Sequence, residues 1–248
     1  TTARRLDAMQ LGRDDFPEHQ KMRGRMGYGN RMYLAQSDDR YLQPAFKDRV
    51  ARSGWSWGCT TFDLANDGHQ SIYIANGHLS GQTTKDYCSS FWTHDIYLGN
   101  SQPNADTSLL FSSIATRPIK TGMSWNGFEH NVLFLNEGEP GFLSVAFLMD
   151  IDFEYDARAV ISDDFDADGR PDLLVVEKNS RGYESVTSTL HVLKNEWPGD
   201  NHWIGVRLED EPGLSPIGAK IMVNTSAGPR VAVIVNGDSY RAQHANTR

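Results

Sequence analysis

The densest chemistry in this sequence is Asp164-Phe165-Asp166-Ala167-Asp168-Gly169-Arg170-Pro171-Asp172. Carboxylates stand at loop positions 1, 3, 5 and 9, with glycine at position 6. Alternating acids turn their oxygens toward one point as the loop curls, and glycine permits the sharp turn this needs. Ca²⁺ takes about six to eight hard oxygens at 2.3–2.6 Å, so the Arg170 backbone carbonyl at position 7 and water would complete the set. Mg²⁺ suits the pattern less, because it keeps several waters and demands near-octahedral geometry. Two like charges 4 Å apart repel by about 1 kcal/mol in bulk water, and by about 4 kcal/mol at an effective dielectric near 20. Four inward carboxylates without a cation would splay or take up protons. The spacing therefore predicts a calcium site made by Asp164, Asp166, Asp168, Asp172 and the Arg170 carbonyl, against the alternative of a solvated acidic turn.

A thinner version of the loop runs from Asp63 to Ser71. Asp63, Asp67 and Gly68 keep positions 1, 5 and 6, while Ala65 and Ser71 replace acids at positions 3 and 9. With two of four carboxylates gone, Asp63 and Asp67 predict a weak or empty second metal loop. Gly68 and Asp/Asn hydrogen bonding would keep its turn.

The two loops belong to a longer self-match at a shift of 101 residues. Asn30-Arg31-Met32-Tyr33-Leu34 falls on Asn131-Val132-Leu133-Phe134-Leu135, Tyr41 on Phe142, and Ile72-Tyr73-Ile74 on Leu173-Leu174-Val175. Fixed-period similarity is the signature of a repeat architecture. Each copy reads as short strands around polar turns, with strands predicted at 31–35, 71–75, 132–136 and 172–176. Leu190-His191-Val192-Leu193-Lys194-Asn195 is a third partial start. Residues 77–126 read as an insertion without a clear period, and residues 5–25 as a short helix.

Other chemistry is sparse. Eight histidines are scattered, and no HExxH, GxSxG or P-loop pattern occurs. His78 and His94 bracket Asp86 and Cys88, with Asp95 adjacent, so a second metal or acid/base site could assemble in the insertion. Ordinary hydrogen-bonding histidines are the plainer reading. Trp55 and Trp57 straddle Ser56 and share a strand face. They could stack on a sugar ring, though packing between sheets is the commoner use. Tyr87, Phe91 and Trp92 in the insertion suit an exposed contact surface. Cys59 and Cys88 permit one disulfide and do not require it, and Asn224-Thr225-Ser226 is a lone glycosylation sequon.

The chain has 248 residues, enough for a sizeable core, and a net charge of -8. Residues 150–172 hold nine acids against two arginines, so nearly all of that charge is local. The acidic balance argues against a nucleic-acid binder, whose affinity comes from Lys and Arg on phosphates. The longest apolar stretch, residues 142–149, is far short of the roughly 18 residues of a membrane helix. The opening Thr1-Thr2-Ala3-Arg4-Arg5 has no apolar h-region, so a signal peptide is expected to be absent or already removed.

Trp57-Gly58-Cys59-Thr60-Thr61-Phe62-Asp63, Asp67-Gly68 and Ile72-Tyr73-Ile74-Ala75-Asn76-Gly77 resemble the FG-GAP/VCBS repeat, the calcium-loop blade of integrin-α-like propellers. Asn201-His202-Trp203-Ile204-Gly205-Val206-Arg207-Leu208, Ile217-Gly218-Ala219-Lys220-Ile221 and residues 231–240 with Gly237 resemble an ASPIC/UnbV domain. The pairing is similar to the cartilage acidic protein (CRTAC-type) family and covers residues 26–248. The resemblance implies an all-β chain, a partial propeller at 26–200 with the 77–126 insertion and a small β-rich domain at 201–248, preceded by the helical lead at 1–25 read from the residues. It implies a secreted, periplasmic or cell-surface calcium-binding protein for adhesion, binding or scaffolding, with structural metal. Two blades and part of a third are fewer than the four a closed propeller needs, and the ASPIC/UnbV pattern stops short of its final strand. Remaining segments of the same protein, or a protein partner, are therefore expected to complete it. The alternatives are an enzyme or an enediyne-cluster UnbV-like biosynthetic accessory protein, and a subunit of a larger surface or redox assembly.

Overall fold

The computed structural model describes residues 17–36, 40–88, 105–138, 141–180, 186–209, 211–226, 228–237 and 239–244. They are built mostly of strands, an all-β architecture with few helices, and among them no sheet closes into a barrel or propeller. After a helix at Pro17–Met26, β1 (Leu34–Ala35) and β2 (Tyr41–Leu42) form a small antiparallel hairpin. The expected helical lead is thus present over 17–26, and its earlier part lies outside the described residues.

Period-2 patterning explains the next strands. In β3 (Ser56–Phe62), Gly58, Thr60 and Phe62 point inward, while Cys59 and Thr61 face out. β4 (Ser71–Asn76) is buried on both faces because it is a central strand: Tyr73 and Ala75 face one core, Ile72 and Ile74 the other. The chain then leaves the sheet. β5 (Thr83–Asp86) and β6 (Met123–Ser124) pair in parallel, with a helix at Ala105–Thr121 between them. That helix is missing from the sequence reading, where 77–126 is patternless. Its many Ser and Thr are weak helix formers, and Pro118 lies inside it. β7 (Val132–Asn136) and β8 (Phe142–Ser144) return to complete the antiparallel order β3-β4-β7-β8. A 3₁₀ turn at Ala146–Met149 leads to β9 (Asp156–Asp163), β10 (Asp172–Ser180) and β11 (Val186–Leu193), a three-stranded antiparallel sheet. β12 (Lys220–Thr225) and β13 (Gly228–Val233) form a separate hairpin.

The 101-residue period is a structural one. Phe62 pairs with Ser71 and Asp163 with Asp172; Leu34 pairs with Leu42 and Leu135 with Leu143. Each residue of the later pair lies 101 positions beyond its counterpart, so both hairpins keep one register. The repeat is offset from the sheets. One unit supplies β1 and β2 and then β3 and β4; the next supplies β7 and β8, completing the first sheet, and then opens the second with β9 and β10.

The main core lies where β9 packs across β3 and β4. It joins Phe62, Tyr73 and Ala75 to Leu133, Val160, Leu173 and Val175. Leu133 is fully buried there, and Leu133→Ala is expected to cost about 2–5 kcal/mol, read from urea unfolding. On the opposite face of β4, Ile74, Phe134, Phe142 and Val50 form a second cluster. Among the described residues no helix is long and apolar enough to cross a membrane.

Candidate metal centre

The acidic loop links β9 to β10, so two paired strands fix its ends. Asp164 organises the turn. Its Oδ1 accepts from the Asp168 amide at 3.0 Å and its Oδ2 from the Gly169 amide at 2.9 Å. Ala167 and Gly169 both take left-handed backbone, with φ of 60° and 87°, as the curl requires. Asp166 Oδ1 accepts from the Asp168 amide at 3.1 Å, and Asp168 Oδ1 from the Arg170 amide at 3.0 Å. Asp172 is only 3% exposed and ties the loop to the sheet. Its Oδ2 accepts from the Phe165 amide at 3.2 Å and its Oδ1 from the Asn195 amide at 2.8 Å.

Carboxylate oxygens of Asp164, Asp166 and Asp172 lie within 4.8 Å of one another, the one such cluster among the described residues. Two oxygens bound to one Ca²⁺ are at most about 5 Å apart, so a single ion can touch all three. The donors are all hard oxygens, which fits Ca²⁺ chemistry. Asp168 is not in the trio. Its Oδ2 lies 3.2 Å from Lys194 Nζ, and that ammonium also donates to Asp166. The Lys194 hydrogen bond, reinforced by its charge, holds the Asp166 carboxyl below its usual range, and the two aspartates push the lysine up. Arg170 sends its guanidinium to the Gly199 carbonyl at 3.4 Å.

The first loop repeats this backbone with only two of the four acids. Asp63 accepts from the Asp67 and Gly68 amides at 2.9 and 2.7 Å, and Asn66 and Gly68 have φ of 52° and 88°. Ser71 replaces Asp172, and its Oγ accepts from the Asn136 amide at 3.3 Å, as Asp172 does from Asn195. Burial pushes the Asp63 carboxyl up, against the two amide bonds that pull it down. Arg230 of β13 donates to the carbonyls of Gly68 and Asp67 at 3.2 and 3.3 Å. Asn66 Nδ2 reaches across to the Gly169 carbonyl at 2.9 Å, joining the two loops.

Lys194 is the group the sequence reading passed over. The sequence placed it in the third partial start, and only the ladders show its place in the repeat: β4–β7 pairs Ile72 with Phe134, and β10–β11 pairs Leu173 with Leu193. Leu135 and Lys194 are therefore equivalent, and so are Asn136 and Asn195.

Of the insertion's candidates, His78, Asp86 and Cys88 are described, and among the described residues they form no metal cluster. His78 stacks on Trp55 with centroids 4.7 Å apart, meets Trp125 edge-on at 5.0 Å and touches Trp57. Trp57 is also covered by Arg158 and Tyr240, so both tryptophans pack internally. Asp86 accepts from the Cys88 and Asn126 amides, a turn-holding role. Cys59 and Cys88 are free thiols. Phe91, Trp92, His94 and Asp95 lie outside the described residues. His78 Nδ1 is buried without a hydrogen-bond partner among the described residues. Burial first, then the Arg158 charge, pushes its pKa below 6.5. The folded state thus resists a proton that the unfolded chain accepts. Stability is expected to be lost as pH falls below about 6.5, and His78→Leu to reduce that loss, read from urea midpoints at two pH values.

No protein-family model matches the chain, and no curated protein matches it.

Proposed function

We propose that this is an extracytoplasmic calcium-binding repeat protein of the FG-GAP/VCBS type with a C-terminal ASPIC/UnbV domain, serving as a binding, adhesion or scaffold module. One observation carries the reading: three carboxylates converge within 4.8 Å in a loop whose hairpin register recurs one repeat earlier. A bound Ca²⁺ would neutralise the loop's charge, and Asp164, Asp166 and Asp172 would hold it. The chain's own part is to fix those oxygens by amide hydrogen bonds from the turn and from Asn195. The role is structural, keeping β9, β10 and the segment after β11 in register. Such a structural loop suits compartments where calcium is abundant, since extracellular modules bind at about 10⁻⁴–10⁻³ M.

The sheets also suit completion by other strands. Among the described residues β11 pairs with β10 alone, and Leu190 and Val192 along it are exposed. Exposed, apolar strand edges invite pairing. Remaining segments of the same protein, or a partner, would supply strands beside it in a propeller. Calorimetric titration with CaCl₂ and melting with and without EDTA test the metal reading. A measurable affinity and a higher Tm in calcium are expected; no heat of binding and no Tm shift would overturn it.

A further inference from the structure

The segment after β11 rests on both Asp loops, and it touches them at the residues that shape the turns. The Trp203 indole covers Gly169, where an added Cβ would lie 1.8 Å from Nε1. The Gly169 amide is the one that Asp164 Oδ2 accepts, so Trp203 presses on the turn that aims a proposed ligand. Asn201 Nδ2 donates to the Ala65 carbonyl at 3.0 Å in the first loop. Arg230 donates to the carbonyls of Asp67 and Gly68, and the Asn66 amide carries the contact on to Gly169.

We infer that docking of residues 201–244 onto the loops and cation binding at Asp164, Asp166 and Asp172 are one coupled equilibrium, so that calcium controls the seating of the C-terminal segment. The inference rests on the calcium reading above and adds a regulated interface to it. Thermodynamic reciprocity supplies the logic. If the docked segment favours the curled loop, it raises cation affinity, and the cation must favour docking by the same factor. The degenerate first loop gains a place in this scheme. It holds Arg230 against its carbonyls, so it serves as a fixed docking point while its neighbour is the responsive one.

The test uses the full chain. Calcium affinity is measured by calorimetry for wild type, Trp203→Ala and Arg230→Ala. Coupling of ordinary strength predicts about fivefold or greater weakening for Trp203→Ala. Among the described residues Arg230 hydrogen-bonds to the first loop and not to the acidic one, so a several-fold weakening from Arg230→Ala is the effect that local damage to the acidic loop would not produce. Its guanidinium is exposed, so this variant keeps the test open if Trp203→Ala folds poorly. Cleavage after Glu196 by a glutamyl endopeptidase gives a second readout: calcium should slow it in wild type and not in Asp166→Ala. If wild type binds calcium and both variants bind equally well, the coupling falls and the calcium reading stands. If wild type binds no calcium, both fall.

Discussion

Asp166→Ala is expected to erase most of the calcium-dependent rise in melting temperature. At calcium about a hundredfold above Kd, binding to the native state alone contributes about 2.7 kcal/mol, or about 5–10 °C for a chain of this size. Asp166 is one of three converging carboxylates, and it is exposed. Its protein partners are a loop amide and Lys194, both at the surface, so its loss should change the melting temperature in EDTA little. Asp168→Ala should lose less than Asp166→Ala, since Asp168 stands outside the trio. Asp67→Ala should leave the calcium shift unchanged within about 1 °C, because its loop lacks the acids at positions 3 and 9. Scanning calorimetry with and without EDTA decides the matter. Equal losses from Asp166→Ala and Asp67→Ala would show that both loops are filled.

The second large effect needs no metal. Asp172→Ala should destabilise the protein by about 2–5 kcal/mol even in EDTA, because two amides lose their acceptor. These are the Asn195 amide, buried beneath the loop, and the Phe165 amide at its start. Asp172→Asn keeps one acceptor oxygen and should recover part of that loss while remaining poor in calcium binding. Urea unfolding in EDTA separates the roles. If Asp172→Ala were as stable as wild type there, Asp172 would serve the cation alone and the hydrogen bonds would carry no weight.

The acidic loop and its repeat were legible because they depend on local spacing. Positions 1, 5 and 6 fix the Asp–amide bonds and the left-handed glycine in both copies, and no distant residue is needed to see that. The strands expected at 71–75, 132–136 and 172–176 followed from their β-branched and aromatic runs, and the sheets place them at 71–76, 132–136 and 172–180; of the strand expected at 31–35 only Leu34 and Ala35 pair. What escaped was non-local. Lys194 reaches Asp166 because β11 lies beside β10, and Trp203 and Arg230 reach the glycines because a distant segment folds back over them. The helix at Ala105–Thr121 escaped for another reason: its Ser- and Thr-rich composition does not announce a helix. Trp55 lies just before β3 rather than on its face, and the two tryptophans meet instead through His78, which contacts both rings.

The offset between repeat and sheet has a mechanical consequence. The join between successive 101-residue units is the β4–β7 ladder, with Ile72, Tyr73 and Ile74 opposite Phe134, Leu133 and Val132. A load that pulled neighbouring units apart would therefore be carried inside a sheet, by three cross-strand pairs and the cores on either side, before any connecting segment straightened. Stretching such an array would tear it through the middle of its sheets, and each rupture would expose the apolar faces of β4 and β7.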